Sequence, residues 1–390
     1  MSSSEMAHGV QQGGRPDLER DLSSFPVAAE EEMPRVRLTR RQVVAFGIFI
    51  LSAVGFLYFV LPKLAGVGTT VHRIERGNSW WIAVGVMLEV LSFGGYVVLF
   101  RSVFPNGDGR IGWRESYEVT MAGLAATRLF AAAGAGGVAL TAWALRRSGM
   151  EPRLVACRMV AFIVLLYVVY AGSLVIDGIG LGIGLFPGGG TFALTFLPAI
   201  LALIAFATAG AIAALPGDIE RRLARGAPGR GRIHRLLGRL ATAPALTASG
   251  VRTAIGLVRR RDAGVLGAVA WWGFDITVLW AMFHAFGSVP PFTVIWMAYF
   301  LGMVGNLLPL PGGLGGVEGG MIGAFAAFNV NLELAVLAVL SYRAISFWLP
   351  TFPGAVAYFQ LRRTVARWRE EQQEQAPGQA SESAAPAGAV

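Results

Sequence analysis

The chain has 390 residues, 54% hydrophobic and only 15% charged, with a mean hydropathy of +0.56. Apolar runs of about 20 residues, the length that crosses a hydrocarbon core of about 30 Å, recur along it, which excludes a soluble enzyme and points to an all-α, polytopic membrane bundle. The net charge of +9 comes almost wholly from arginine, Lys63 being the only lysine, and the arginines sit between the apolar runs, where they report topology before nucleic-acid binding.

The polar, acidic, proline-bearing residues 1–40 lack the basic start and short apolar core of a cleavable signal peptide and are expected to form a disordered cytoplasmic tail. A transmembrane domain is expected over 41–361. Its clearest spans are Val43–Leu61, Trp80–Phe100, Leu154–Ile176, Thr191–Leu215, Ala263–Phe286 and Leu332–Phe359, about six in all. Two further apolar regions, 117–146 and 291–328, are interrupted by glycine, the second also by proline, and are expected to be re-entrant helical hairpins. Low-complexity residues 362–390 are expected to form a second disordered cytoplasmic tail.

Arginine placement orients the chain, because basic loops stay in the cytoplasm. Arg35, Arg37, Arg40 and Arg41 precede the first span, Arg101, Arg110 and Arg114 follow the second, and Arg146, Arg147 and Arg153 precede the third. The loop 216–262 carries eleven arginines against Asp218, Glu220 and Asp262. This pattern puts both termini in the cytoplasm, with the 62–79 loop, which holds Lys63, Arg73 and Arg76, as the exception. The basic 216–262 loop mixes apolar and arginine residues at partly helical spacing and is expected to lie on the anionic inner leaflet as an interfacial helix rather than to bind nucleic acid. Cys157, in an apolar stretch, reads as a small packed residue. His234 and His284 have no ligand-like companions, so no metal or cofactor is expected.

The interrupted regions share a motif. Residues 134–138 read GAGGV and residues 313–317 read GLGGV, 179 positions apart, and the topology places them on opposite sides of the membrane. Opposed, repeated, glycine-broken segments mark inverted-repeat transporters, in which half-helix ends meet near the midplane around a substrate. Freed backbone is tolerated at that depth only when protein covers it or a polar cavity receives it, and helix N-termini suit a phosphate. Candidate substrate-binding positions are therefore Gly134, Gly136 and Gly137 in the first copy and Pro311, Gly312, Gly313, Gly315 and Gly316 in the second. Close helix packing by small residues is the plainer reading of the same glycines.

Charged residues within apolar spans, costing about 2.5–3.5 kcal/mol each, demand partners or a function. Glu318 follows the second glycine run and is expected to meet a cationic headgroup, take a proton or pair with Arg343. Arg343 has the donor fork to hold a lipid phosphate or a place from which to snorkel. Asp275, deep in its span, is expected to pair with Arg343 or to carry a coupling proton. Glu89 and Arg128 are candidate substrate-binding residues of the first repeat, with mutual pairing as the plainer reading. Trp80, Trp81, Trp271 and Trp272 read as interfacial belts.

The strings PLPGGLGGVEGG (309–320) and YRAISFWLPTFPG (342–354), with GAGGVALTAWALRRSG (134–149), resemble the transmembrane region of bacterial lysylphosphatidylglycerol synthases, the flippase-like domain family, over roughly residues 40–360. The resemblance implies a multi-pass protein of a bacterial inner membrane that moves a phosphate-bearing lipid, aminoacylated or glycosylated, between leaflets. A subunit presenting lipid to a separately encoded lipid-modifying transferase is the alternative. Synthase activity is not expected, because the family's soluble transferase domain has no counterpart in the 390 residues. The family's first motif carries a proline before the glycines and a glutamate shortly after; Ala131–Ala133 and Ala139 stand there instead, so that no symmetric pair of carboxylates is expected.

Overall fold

The computed structural model describes residue 55 and residues 77–105, 110–129, 135–214, 232–308 and 313–382. The expected tail 1–40, the span Val43–Leu61 apart from residue 55, and the site positions Gly134, Pro311 and Gly312 lie outside them. Among the described residues every regular element is helical.

The longest apolar runs form the longest helices. Helix α1 (Ser79–Val103) starts where the Asn78 side chain accepts the Trp80 N–H at 3.0 Å. Helix α7 (Leu266–Phe286) follows one 3₁₀ turn (Ala263–Val265) in which Asp262 accepts the Gly264 N–H at 2.8 Å. These two helices make the most extensive contact in the bundle, and they run antiparallel. Asn78 N–H donates to the Ala285 carbonyl at 3.0 Å near one end, Ser92 Oγ donates to the Trp271 carbonyl at 2.8 Å midway, and Gly264 abuts Ser102 at the other end.

Helices α4 (Pro152–Gly182) and α5 (Phe196–Ala213) keep most of their apolar surface exposed, whereas α7 and α10 (Leu332–Arg343) are more deeply buried. The second pair forms the core with α8 (Phe292–Met303) and α9 (Gly316–Ala327). Among the described residues five helical stretches, Ser79–Val103, Pro152–Gly182, Phe196–Ala213, Ala263–Phe286 and Leu332–Glu371, are long and apolar enough to cross a membrane. They coincide with the five expected spans that fall on described residues.

Each interrupted region is a pair of short helices. The first holds α2 (Trp113–Leu129) and α3 (Ala135–Arg147), and the second holds α8, its 3₁₀ extension Val304–Leu307, and α9. At a rise of 1.5 Å per residue α3, α8 and α9 are each about 20 Å long or less, short of the ~30 Å core. Close glycine contacts hold both pairs together. A side chain at Gly137 of α3 would collide with the Gly123 carbonyl and the Thr127 hydroxyl of α2, and one at Gly316 of α9 would stand 2.9 Å from the Gly305 carbonyl.

The spacing of the glycine motif also relates the starts of four pairs of helices. Shifted by 179, the starts of α2, α3 and α4 become 292, 314 and 331, against observed starts at Phe292, Gly316 and Leu332. The start of α1 becomes 258, five residues before the turn that opens α7 at Ala263. Corresponding helices α1 and α7 are the antiparallel pair described above, the arrangement an inverted repeat requires of elements beside its axis.

One expectation is corrected. Residues 362–382 are helical: α11 (Thr351–Glu382) runs on past the last span, and Leu361, Thr364, Val365 and Trp368 bury one stripe against α2. Their spacing of three, four and seven residues is that of a helix face, which the low-complexity sequence beyond them obscured. In the basic region 216–262 the partly helical spacing of the sequence is realised as a helix. Helix α6 (Arg232–Arg259) occupies much of it and docks on α4, where Cys157 Sγ lies 3.4 Å from Ser249 Oγ and Gly250 abuts Val160.

Candidate functional site

A polar cavity of about 280 Å³ opens where the central helices and both short pairs converge. Glu89 of α1, Arg128 of α2, Asp275 of α7, Arg343 of α10, Asn306 of the 3₁₀ extension and Gly313 line it. Four charged residues that the sequence scatters over 255 positions are thus gathered at one place, with Glu89, Asp275 and Arg343 only 2%, 7% and 8% exposed.

The second glycine run explains how α9 begins. Gly313 and Gly315 have φ of +68° and +85°, values that a side chain disfavours, and they turn the chain from the 3₁₀ extension into the helix. Glu318 then sits in the first turn of α9, where its Oε2 accepts the Gly315 N–H at 2.7 Å and its Oε1 accepts from Arg343 Nε at 2.7 Å. The carboxylate is 1% exposed and lies behind Arg343. Of the three roles expected for Glu318, the pair with Arg343 is the one that forms. Gly316 packs against Gly305 and Gly315 is exposed, so neither lines the cavity.

Arg128 and Glu89 do not pair with each other, contrary to expectation. Between α10 and α11 the chain forms a π-helical turn, Ala344–Trp348. Such a turn leaves carbonyls aimed away from the usual helical partner. Arg128 takes them: Nη1 donates to the Phe347 carbonyl at 3.0 Å and Nη2 to the Ser346 carbonyl at 2.9 Å. Its guanidinium also lies between the rings of Phe93 and Phe347, at 5.7 and 5.6 Å from their centroids. The arginine of the first short pair thereby clamps the backbone just after Arg343.

Asp275 Oδ2 accepts the hydroxyls of Tyr299 and Tyr342, the second at 2.9 Å. Both tyrosines are buried. Tyr342 was visible beside Arg343 in the sequence, whereas Tyr299, inside the apolar run of α8, gave no signal beyond a hydroxyl in a span. Trp271 and Trp272 also line the cavity, and Trp272 Nε1 donates to the Leu166 carbonyl at 2.8 Å, so they are not belt residues. Trp80, by contrast, is 70% exposed at the start of α1.

The first glycine motif lies elsewhere. Gly137 lines a separate apolar pocket with Gly123, Thr127 and Thr141, and Gly136 is not on the wall of the charged cavity. Beside that cavity runs a larger apolar groove of about 570 Å³, bounded by Val90 and Phe93 of α1, Trp113 and Met121 of α2, and Leu349 and Pro353 near the start of α11. The ring of Phe93, which faces the guanidinium of Arg128, separates groove from cavity. Among the described residues no group of three or more His, Cys, Asp or Glu is placed to hold a metal.

Comparison with known proteins agrees with this architecture. The chain is 38% identical over 86 residues to a UPF0104 membrane protein of Methanothermobacter thermautotrophicus, a stretch covering 22% of this chain and 26% of that protein. It is 30% identical over 93 residues to a UPF0104 membrane protein of Methanocaldococcus jannaschii, covering 24% and 28% respectively. A third, from Pyrococcus horikoshii, is 29% identical over 106 residues, covering 27% of this chain and 32% of the relative. The matched stretches thus span about a quarter to a third of these archaeal proteins. The family described as "Lysylphosphatidylglycerol synthase TM region" matches residues 42–354, and the chain is a multi-pass membrane protein belonging to that family.

Proposed function

We propose that the protein moves a phosphate-bearing lipid between the two leaflets of a cytoplasmic membrane, with both termini in the cytoplasm as the arginine distribution places them. The observation that carries this reading is the charged cavity lying beside an apolar groove. An amphiphile has two parts, and here a guanidinium-bearing cavity and an apolar channel adjoin across one phenyl ring. The phosphate is held by Arg128 and Arg343, whose planar donor forks match its oxygens. The acyl chains follow the groove between α1, α2 and α11, open to the bilayer. Two halves related as an inverted repeat supply the movement, by rocking of one short pair against the other around a fixed site. Covalent chemistry on the lipid forms no part of this reading.

The test is leaflet exchange in vesicles. The purified full chain is reconstituted in phosphatidylglycerol–phosphatidylethanolamine vesicles containing a fluorescent phosphatidylglycerol, and label reaching the outer leaflet is bleached with dithionite. Wild type is expected to accelerate exchange over protein-free vesicles. Arg128→Gln is expected to reduce that acceleration about tenfold or more, since charge-assisted hydrogen bonds contribute about 1.5–3 kcal/mol and 1.4 kcal/mol is a factor of ten. Exchange no faster than in protein-free vesicles overturns transport, and stable capture of a lipid-modifying enzyme by the same preparation would then favour a presenting subunit.

A further inference from the structure

Glu89 and Asp275 pose a hydrogen-bonding problem that the lipid reading does not use. They come from α1 and α7, whose antiparallel register, fixed by Asn78 on Ala285 and Ser92 on Trp271, sets Glu89 level with Asp275, and both line the same cavity. Asp275 satisfies one oxygen with the hydroxyls of Tyr299 and Tyr342. Its other oxygen, Oδ1, and Glu89 Oε2 are both buried without any hydrogen-bond donor. An ionised carboxylate only accepts, so two of them facing each other leave both oxygens unsatisfied, and unsatisfied buried acceptors are costly. One hydrogen placed between the two carboxyls removes the conflict, as in other paired carboxyls held close together.

The surroundings fix how many charges the pair can carry. Arg128 faces it from α2, Tyr299 from α8, Tyr342 and Arg343 from α10, Tyr167 from α4, and Tyr96 lies on α1 itself. Of the two guanidinium groups, Arg343 is already matched by Glu318, which leaves Arg128 as the cation balancing one negative charge. A pair holding one proton carries one negative charge, and that charge balances Arg128.

We propose that Glu89 and Asp275 form a proton-exchange site, holding one proton between them in the empty cavity and giving it up to water in the cavity when a cationic or hydrogen-bond-donating group takes its place. In a cycle one proton is taken up from the water on one side and released to the water on the other, so that substrate movement is coupled to a proton gradient. The exchange site stands on the cavity's geometry, whereas its coupling to lipid movement rests on the transport reading above.

Infrared difference spectroscopy on the purified full chain in lipid nanodiscs tests the site without any transport. A protonated carboxyl absorbs as a C=O stretch distinct from that of a carboxylate and shifts in D₂O. The spectra are taken in an Asp177→Asn background, because Asp177 is another buried carboxyl without a hydrogen-bond partner. One such band is expected, removed equally by Glu89→Gln and by Asp275→Asn, since either change dissolves the shared proton. Tyr299→Phe, which withdraws one donor from Asp275, is expected to displace the band without abolishing it, and this arm remains informative if an amide variant fails to fold. A spectrum with no carboxyl band sensitive to any of the three substitutions, from mildly acidic to mildly alkaline pH, overturns the proposal. In the vesicle assay, an imposed pH gradient is expected to change the wild-type exchange rate several-fold and to leave Glu89→Gln unaffected. Loss of lipid exchange with the infrared band intact would sink the transport reading alone.

Discussion

Glu318→Gln is expected to destabilise the protein by about 3–5 kcal/mol, the range for removing one partner of a buried ion pair. The pair is 2.7 Å long, with side chains 1% and 9% exposed, so the remaining Arg343 charge has little solvent to turn to. Glutamine keeps the shape of glutamate but has one acceptor oxygen in place of two. It can satisfy the Gly315 N–H or Arg343 Nε and not both, and the orphaned donor alone accounts for about 1–3 kcal/mol. The rest is the uncompensated guanidinium. Arg343→Met should cost a similar amount by stranding the carboxylate. In the double variant no buried charge is left alone, so its cost should fall short of the sum of the single variants by at least about 2 kcal/mol, within the range of coupling between residues in contact. Unfolding in mixed micelles by added anionic detergent, followed by tryptophan fluorescence, measures all three. Additivity within about 0.5 kcal/mol would refute the assignment of Glu318 to Arg343 as a closed pair.

Gly137→Ala is expected to cost about 1–3 kcal/mol in the same assay, because its methyl group meets the Gly123 carbonyl and the Thr127 hydroxyl and α3 must move off α2. Gly323→Ala, in α9 with nothing within 4 Å of the added carbon, is expected to be neutral or slightly stabilising; equal losses at the two sites would contradict the close approach. Trp368→Ala is expected to cost about 3 kcal/mol or more and to raise hydrogen exchange along α11 beyond residue 361, since Trp368 is 6% exposed against the bundle. Unchanged exchange there would show that the extension does not depend on this packing.

The spans were legible because hydrocarbon thickness dictates about 20 apolar residues, and no tertiary context overrides that requirement. The broken pairs were legible for the complementary reason: Gly313 and Gly315 need backbone angles open to glycine, and such residues leave a mark in a helical run. Partner choice among the charges was not legible. Arg128 takes carbonyls more than 200 residues away, and they are available only because Ala344–Trp348 adopts a π turn that no spacing in the sequence announces. Asp275 is met by hydroxyls, and a tyrosine within a span reads equally well as an interfacial residue. Trp271 and Trp272 were misplaced for that same reason, since a turn of helix separates a belt from a cavity wall.

The absence of a carboxylate at Ala139 belongs to a general pattern. Under the shift of 179, Glu89 corresponds to Ala268, Arg128 to Leu307, Tyr96 to Asp275, Ala139 to Glu318 and Val164 to Arg343. Wherever one half carries a charge at the site, the other half carries an uncharged residue. Beside a two-fold axis a residue and its counterpart come close together, and identical charges there would repel strongly in a medium of low dielectric. Dividing the charges between the halves keeps the backbone symmetry while placing each charge once. The division also lets α1 and α7 bring unlike positions, Glu89 and Asp275, to the wall of one cavity. On the transport reading, two halves alike in backbone and unlike in charge present different walls to the two leaflets. The inward and outward forms then differ in energy, while the direction of net movement is set by the lipid and proton gradients across the membrane.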